Sequence, residues 1–139
     1  MFYPVEFEDD EGMVIVTIPD LPGTHDCGVS REEAMVRVRG AALAIIQSLI
    51  DDRQDIPDPS PLEGRPIIAL PSQAWTKVLL YRALRESDWR KADLARALGV
   101  DQKSVDRLLN LHHASRWDQV DDAFRAMGKA FVPEMRDVA

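Results

Sequence analysis

The chain has 139 residues, 45% of them hydrophobic and 29% charged, which suits one domain or two small ones of an ordinary folded soluble protein. No apolar run reaches the ~20 residues of a membrane span, and no basic stretch followed by an apolar one marks a secretory signal. The single cysteine, Cys27, excludes an internal disulfide and suits a reducing cytoplasm. The net charge of −7 speaks against nucleic acid for the chain as a whole, but the charge is uneven. Residues 1–66 hold 5 Lys/Arg against 14 Asp/Glu, net −9, and residues 67–139 hold 12 against 10, net +2. A cationic partner suits the first part, and phosphate can approach the second.

The first element alternates, with Tyr3, Val5 and Phe7 on one face and Pro4, Glu6 and Glu8 on the other, as in a strand. Asp9, Asp10, Glu11 and Gly12 read as a turn, and Val14, Val16 and Ile18 share the face of a second strand, giving a β-hairpin. The run from Pro19 to Gly23 is a rigid turn, and a short third strand is expected over 24–27. Ser30 and Glu33 have capping-box spacing. Ala34, Val38, Ala41, Ile45 and Leu49 then form a helical stripe over 31–50, wide enough to cover one face of the small sheet. Residues 51–66, with Pro57, Pro59, Pro61 and Pro66, form a semi-extended connector. Residues 67–70 are read as a last strand, the alternative being the end of the connector.

From Ser72 the pattern is helical throughout. A first helix runs over 72–85, two short ones are split at Gly99, and a fourth covers 117–127 with Gly128 as its stop. The short pair is the most informative window. Ala95 is small where two helices must cross, and Gly99 tolerates the positive φ of the turn. Leu94, Leu98, Val100, Val105 and Leu108 form an apolar wedge, and Asp101 can cap the second helix. That helix is expected to expose Gln102, Lys103, Ser104, Asp106, Arg107 and Asn110. Gln and Asn pair with adenine, Arg and Lys with guanine, and Asp106 can accept from a cytosine amine. Arg90, Lys91 and Arg116 flank the unit and suit phosphates. The competing reading is a structural helical hairpin with a solvated polar face.

Across its length the chain resembles the HicB family of toxin–antitoxin antitoxins. The resemblance rests on the run Ile18, Pro19, Asp20, Leu21, Pro22, Gly23, then Gly28, then Glu32, Glu33, Ala34 opening a helix, then Ile56, Pro57, Asp58, Pro59, Ser60. The second half, with Asn110, Leu111, His112, His113 and Ala114 after the recognition helix, is similar to the subset carrying a phage-repressor-like DNA-binding domain. The family often has a more polar pair where this chain has Gly28 and Val29 after Cys27. The resemblance implies an α+β protein with a partial ribonuclease-H-like N-terminal module, βββα with a final strand, followed by an all-helical helix-turn-helix domain. It implies binding to HicA, a small basic toxin that cleaves mRNA, and repression of the shared operon.

The division expected is residues 1–66 for toxin binding and 67–139 for DNA binding and dimerisation. Asp20, Leu21, Ile56 and Pro57 are the candidate toxin contacts. No enzymatic activity, cofactor or metal is expected, because Asp9, Asp10, Glu11, Asp20 and Asp26 are turn formers rather than a converging carboxylate set, and His25, Asp26 and Cys27 are too contiguous for tetrahedral coordination. His112 and His113 either cap the preceding helix or touch a phosphate. Trp75, Trp89 and Trp117 suit core or interface packing. One helix-turn-helix buries little surface on DNA, so a homodimer or a higher even-numbered oligomer is expected. In it, Phe131, Val132 and Met135 either cover a partner subunit or dock on their own domain. A repressor with a small-ligand-sensing first module, and a metal-dependent nuclease, are the competing functions.

Overall fold

A computed structural model describes residues 1–137 and shows an α+β chain in two compact units, Met1–Trp75 and Thr76–Ala139. In the first unit, strands β1 (Phe2–Pro4), β2 (Glu6–Asp10), β3 (Met13–Thr17) and β4 (His25–Gly28) precede helix α1 (Arg31–Asp51), and β5 (Ile67–Ala69) follows the connector. β2, β3 and β4 form an antiparallel sheet in that order, while β1 pairs with β5, Tyr3 opposite Ile68.

The single alternating strand expected over residues 3–8 is thus two strands serving two sheets. Pro4 has no N–H to carry a ladder onward, and the N–H of Val5 donates to the Pro66 carbonyl at 2.9 Å. Because β5 pairs with β1, the first unit runs past Pro66 to Trp75.

The β2–β3 hairpin closes through Glu11 (φ 49°) and Gly12 (φ 81°). Positive φ at both central residues matches the right-handed strand twist. Alternation then sorts the sheet. Phe7, Val14, Val16, Asp26 and Gly28 lie on the face toward α1. A Cβ on Gly28 would stand 2.7 Å from the Ala34 backbone nitrogen, so this close approach requires glycine. The opposite face carries Glu6, Glu8 and Asp10 on β2, Met13, Ile15 and Thr17 on β3, and His25 and Cys27 on β4. None of these eight side chains is fully buried.

Ser30 caps α1 by accepting from the Glu33 N–H. The reciprocal bond goes one residue further out than a capping box has it, from the Val29 N–H to Glu33 Oε2 at 2.8 Å. Ala34, Val38, Ala42, Ile46 and Ile50 are the buried face of α1.

The second unit is helical: α2 (Ser72–Glu86, beginning just before the division), α3 (Lys91–Leu98), α4 (Gln102–Leu108) and α5 (Trp117–Ala126). Its core is built from Val78, Leu80, Leu94, Val105, Leu109, Val120 and Phe124. Gly128 (φ 71°) ends α5, with Gly128 N–H bonded to the Arg125 carbonyl and Lys129 N–H to that of Phe124. Phe131 docks on its own unit, stacked on Trp117 and Phe124 at centroid distances of 6.2 and 6.1 Å, whereas Val132 and Met135 stay exposed.

Candidate nucleic-acid interface and partner surface

α3 and α4 meet as a helix–turn–helix pair. Gly99 adopts φ 67° at the end of α3, its N–H bonded to the Arg96 carbonyl and that of Val100 to Ala95. Leu94, Ala95, Val105 and Leu108 are buried between and behind the helices. Val100, placed in the wedge by its sequence, is 41% exposed, whereas Leu109 and Leu111, beyond the end of α4, are buried. Asp101 caps α4, accepting from Ser104 N–H at 2.9 Å and Ser104 Oγ at 2.7 Å. The hydroxyl bond, then the backbone bond, hold the Asp101 carboxyl below its ordinary range. Asp93 is lowered likewise, chiefly by the N–H of Arg90 at 2.8 Å.

These contacts sort the nine expected DNA-facing residues. Gln102, Lys103 and Arg107 project from α4, exposed and with no side-chain hydrogen bond or ion pair among the described residues. Lys103 and Arg107 stand one turn apart on one stripe. Ser104 is half-buried and committed to the cap. Asp106 is paired with Lys91 at 2.9 Å, so two of the candidates neutralise one another across the two helices. Arg116 pairs with Asp118 at 2.7 Å just before and inside α5. Arg90 is exposed at the start of α3. Asn110 is not on α4, which ends at Leu108. It lies in the following turn, where its Oδ1 accepts from the His112 N–H at 2.9 Å.

The residue the sequence did not disclose is Lys77. Fully buried on α2, it donates through Nζ to the carbonyls of Arg107 (2.9 Å), Asn110 (2.9 Å) and His113 (2.5 Å). It satisfies the negative end of α4 and the turn beyond it, the role considered for the histidines. Burial pulls its pKa down to about 8. A lysine amid apolar helical positions looks like an edge residue in sequence. Only the approach of three carbonyls from 30 or more residues away makes it a clamp.

In the first unit, the candidate toxin contacts lie in the 19–23 turn and in the connector, which Asp20 joins. Asp20 Oδ2 accepts from Ser60 N–H (2.8 Å) and Oγ (3.0 Å). The Pro57 carbonyl accepts from the Tyr3 hydroxyl at 2.7 Å. Leu21 and Ile56 are buried, so their side chains are not free to meet a partner directly. Arg65 links the Asp20–Ser60 junction to the sheet, reaching Ser60 Oγ at 3.3 Å and Glu6 at 3.7 Å. Among the described residues, no group of three His, Cys, Asp or Glu side chains is placed to hold a metal ion, and no helix is long and apolar enough to cross a membrane.

A small sheet under one helix, followed in sequence by a helical unit with a capped helix–turn–helix pair, makes this an α+β protein of two units. Residues 2–79 match the family described as the HicB-like antitoxin of bacterial toxin–antitoxin systems. Antitoxin HicB 2 of Photorhabdus laumondii is 34% identical over 129 residues, covering 93% of this chain and 92% of its own. Antitoxin HicB of Escherichia coli K12 is 36% identical over 131 residues, 93% of this chain and 95% of its own. Antitoxin HicB of Pseudomonas fluorescens is 33% identical over 132 residues, 94% and 90%. The chain belongs to the HicB-like antitoxin family, a family of regulatory proteins and not of enzymes.

Proposed function

We propose that this antitoxin neutralises a HicA-type mRNA-cleaving toxin by direct binding through its first unit and represses its own operon through α3 and α4. The observation that carries the DNA half is the open face of α4. Gln102, Lys103 and Arg107 are exposed and unengaged, on a helix whose start is capped by Asp101 and whose end is clamped by Lys77. A short helix capped at both ends, presenting Gln102 and Lys103 from its first turn and Arg107 from its last, suits the major groove. Arg90, Arg116 and the turn carrying Asn110 flank it as phosphate contacts, and Lys91 joins them once its pair with Asp106 opens. The toxin half is supported by family membership, by the net −9 of residues 1–66, and by the Asp20–Ser60 junction at the surface of the first unit. The protein works in the cytoplasm as a homodimer or higher even-numbered oligomer, so that two recognition helices meet two half-sites.

The test pairs a gel shift on the chain's own promoter with rescue of growth from the neighbouring toxin gene. Gln102→Ala with Arg107→Ala is expected to abolish the operator shift and leave rescue intact. Full operator affinity in that double variant would show that another surface reads the DNA, and failure of the unaltered chain to rescue would remove the toxin half.

A further inference from the structure

The face of the β2-β3-β4 sheet turned away from α1 carries eight side chains, none of them fully buried. Its apolar residues are Met13 and Ile15 on the central strand β3 and Cys27 beside Ile15 on β4, all half-buried. Its β2 side is a row of carboxylates, Glu6, Glu8 and Asp10, directly opposite Thr17, Ile15 and Met13. Glu6 leans to Arg65, while Glu8 and Asp10 are exposed and hold no ion pair among the described residues. An edge strand whose outward side chains are all acidic resists pairing with a further strand, yet here the acids border an apolar row. Burying that row repays a partner only if it brings charges of opposite sign to the rim. Nucleic acid is excluded by the carboxylates. A second copy apposed rim to rim would set like charges together. A cationic protein surface with an apolar centre meets both demands.

We propose that this sheet face is where the toxin docks, its cationic side chains meeting Glu8 and Asp10 and an apolar patch covering Met13, Ile15 and Cys27. The proposal rests on the reading above that the partner is a cationic toxin. The face is continuous with the Asp20–Ser60 junction through Glu6 and Arg65, so a single partner can span both.

Cys27 is the only cysteine of the chain and stands on this face beside Ile15, on the edge strand β4, which gives a direct probe. The full chain is alkylated with iodoacetamide, with and without purified toxin from the same operon, and the modified peptide is read by mass spectrometry. Bound toxin is expected to slow modification of Cys27 tenfold or more. In parallel, Glu8→Lys with Asp10→Lys changes two exposed side chains, with melting followed by circular dichroism to verify folding. It is expected to lower the association rate for toxin at least tenfold and to flatten its salt dependence. Val36→Lys, at a 65% exposed position on α1, is the control and is expected to bind normally. Unchanged Cys27 reactivity in a complex that does form overturns the proposal and leaves the antitoxin reading standing. So does tight binding by the rim variant, or loss of binding in Val36→Lys alone. A rim variant that changes the mass of the chain by itself, and not its toxin binding, makes the face a self-contact. No binding by the unaltered chain removes the antitoxin reading and the proposal with it.

Discussion

Lys77 is a buried ammonium, a group that proteins keep only where other acceptors replace its hydration. Three carbonyls replace it here. Lys77→Met keeps the length of the side chain and removes every donor, leaving the His113 carbonyl without its clamp. It is expected to lower the unfolding free energy at pH 7 by about 1–3 kcal/mol, measured by urea denaturation. The pH dependence has a definite sign. The folded state releases this proton at about 8, and the unfolded chain keeps it to 10.5. Between these values the unfolded state binds more protons, so the Lys77 contribution to stability rises with pH and is constant below 8. The gap between wild type and Lys77→Met therefore widens from pH 8 to 10, by at most about 3 kcal/mol, because the carbonyls oppose the loss of the proton. A constant gap would show that the ammonium keeps its ordinary value. Thr24 poses the reverse problem. Its side-chain oxygen is buried with no hydrogen-bond partner among the described residues. Thr24→Val replaces that hydroxyl by a methyl of similar size and is expected to raise stability by about 1 kcal/mol, read as a higher melting temperature. A lower one would reveal a bond from this hydroxyl.

Among the elements, α4 is where separate contributions can be resolved. On the proposed function, Gln102→Ala or Arg107→Ala is expected to cost about 1–3 kcal/mol of sequence discrimination per site, doubled if the chain binds as a symmetric dimer. Lys103→Ala, if it meets phosphate, weakens all sequences alike and makes the slope of log affinity against log salt shallower by about 1 per site. Equal slopes would assign Lys103 to a base. Much of this element was legible in the sequence, because its boundaries are set by local chemistry: Gly99 at a positive φ, and Asp101 three residues before the N–H it caps. The same holds for Ser30 before α1 and for the alternation of β3. What the sequence hid depends on residues distant along the chain. Nothing near Pro4 shows that β1 leaves the hairpin to pair with β5, sixty and more residues on. The Lys91–Asp106 pair and the Lys77 clamp exist because helices α2, α3 and α4 cross as they do. Val100 reads as a core residue by type, but the turn that Gly99 makes carries it outward.

For the whole molecule, the prediction concerns assembly. Val132 is 75% exposed, and Met135 is fully exposed, in the segment after α5. On the proposed function, these side chains suit a contact between copies of the chain. The mass in solution at micromolar concentration is expected to be that of a dimer or tetramer, and Val132→Asp with Met135→Asp to shift it toward the monomer. A monomeric mass for the unaltered chain would contradict the dimeric reading.

The burial of Lys77 also makes the chain a chemical timepiece. There are four lysines, at 77, 91, 103 and 129. Acetic anhydride or another acylating reagent can reach Lys103 and Lys129 freely and Lys91 in part, but the Lys77 nitrogen is sealed in the native state. Acylation of Lys77 therefore requires the second unit to open, and its rate reports the population of that opening. The exposed Lys129 supplies the intrinsic reactivity for comparison. Acylation of Lys77 is expected to lag that of Lys129 by a factor that grows as stability grows, and to be slowed further when operator DNA binds the closed form. Equal rates at the two positions under native conditions would mean that the clamp is open for much of the time.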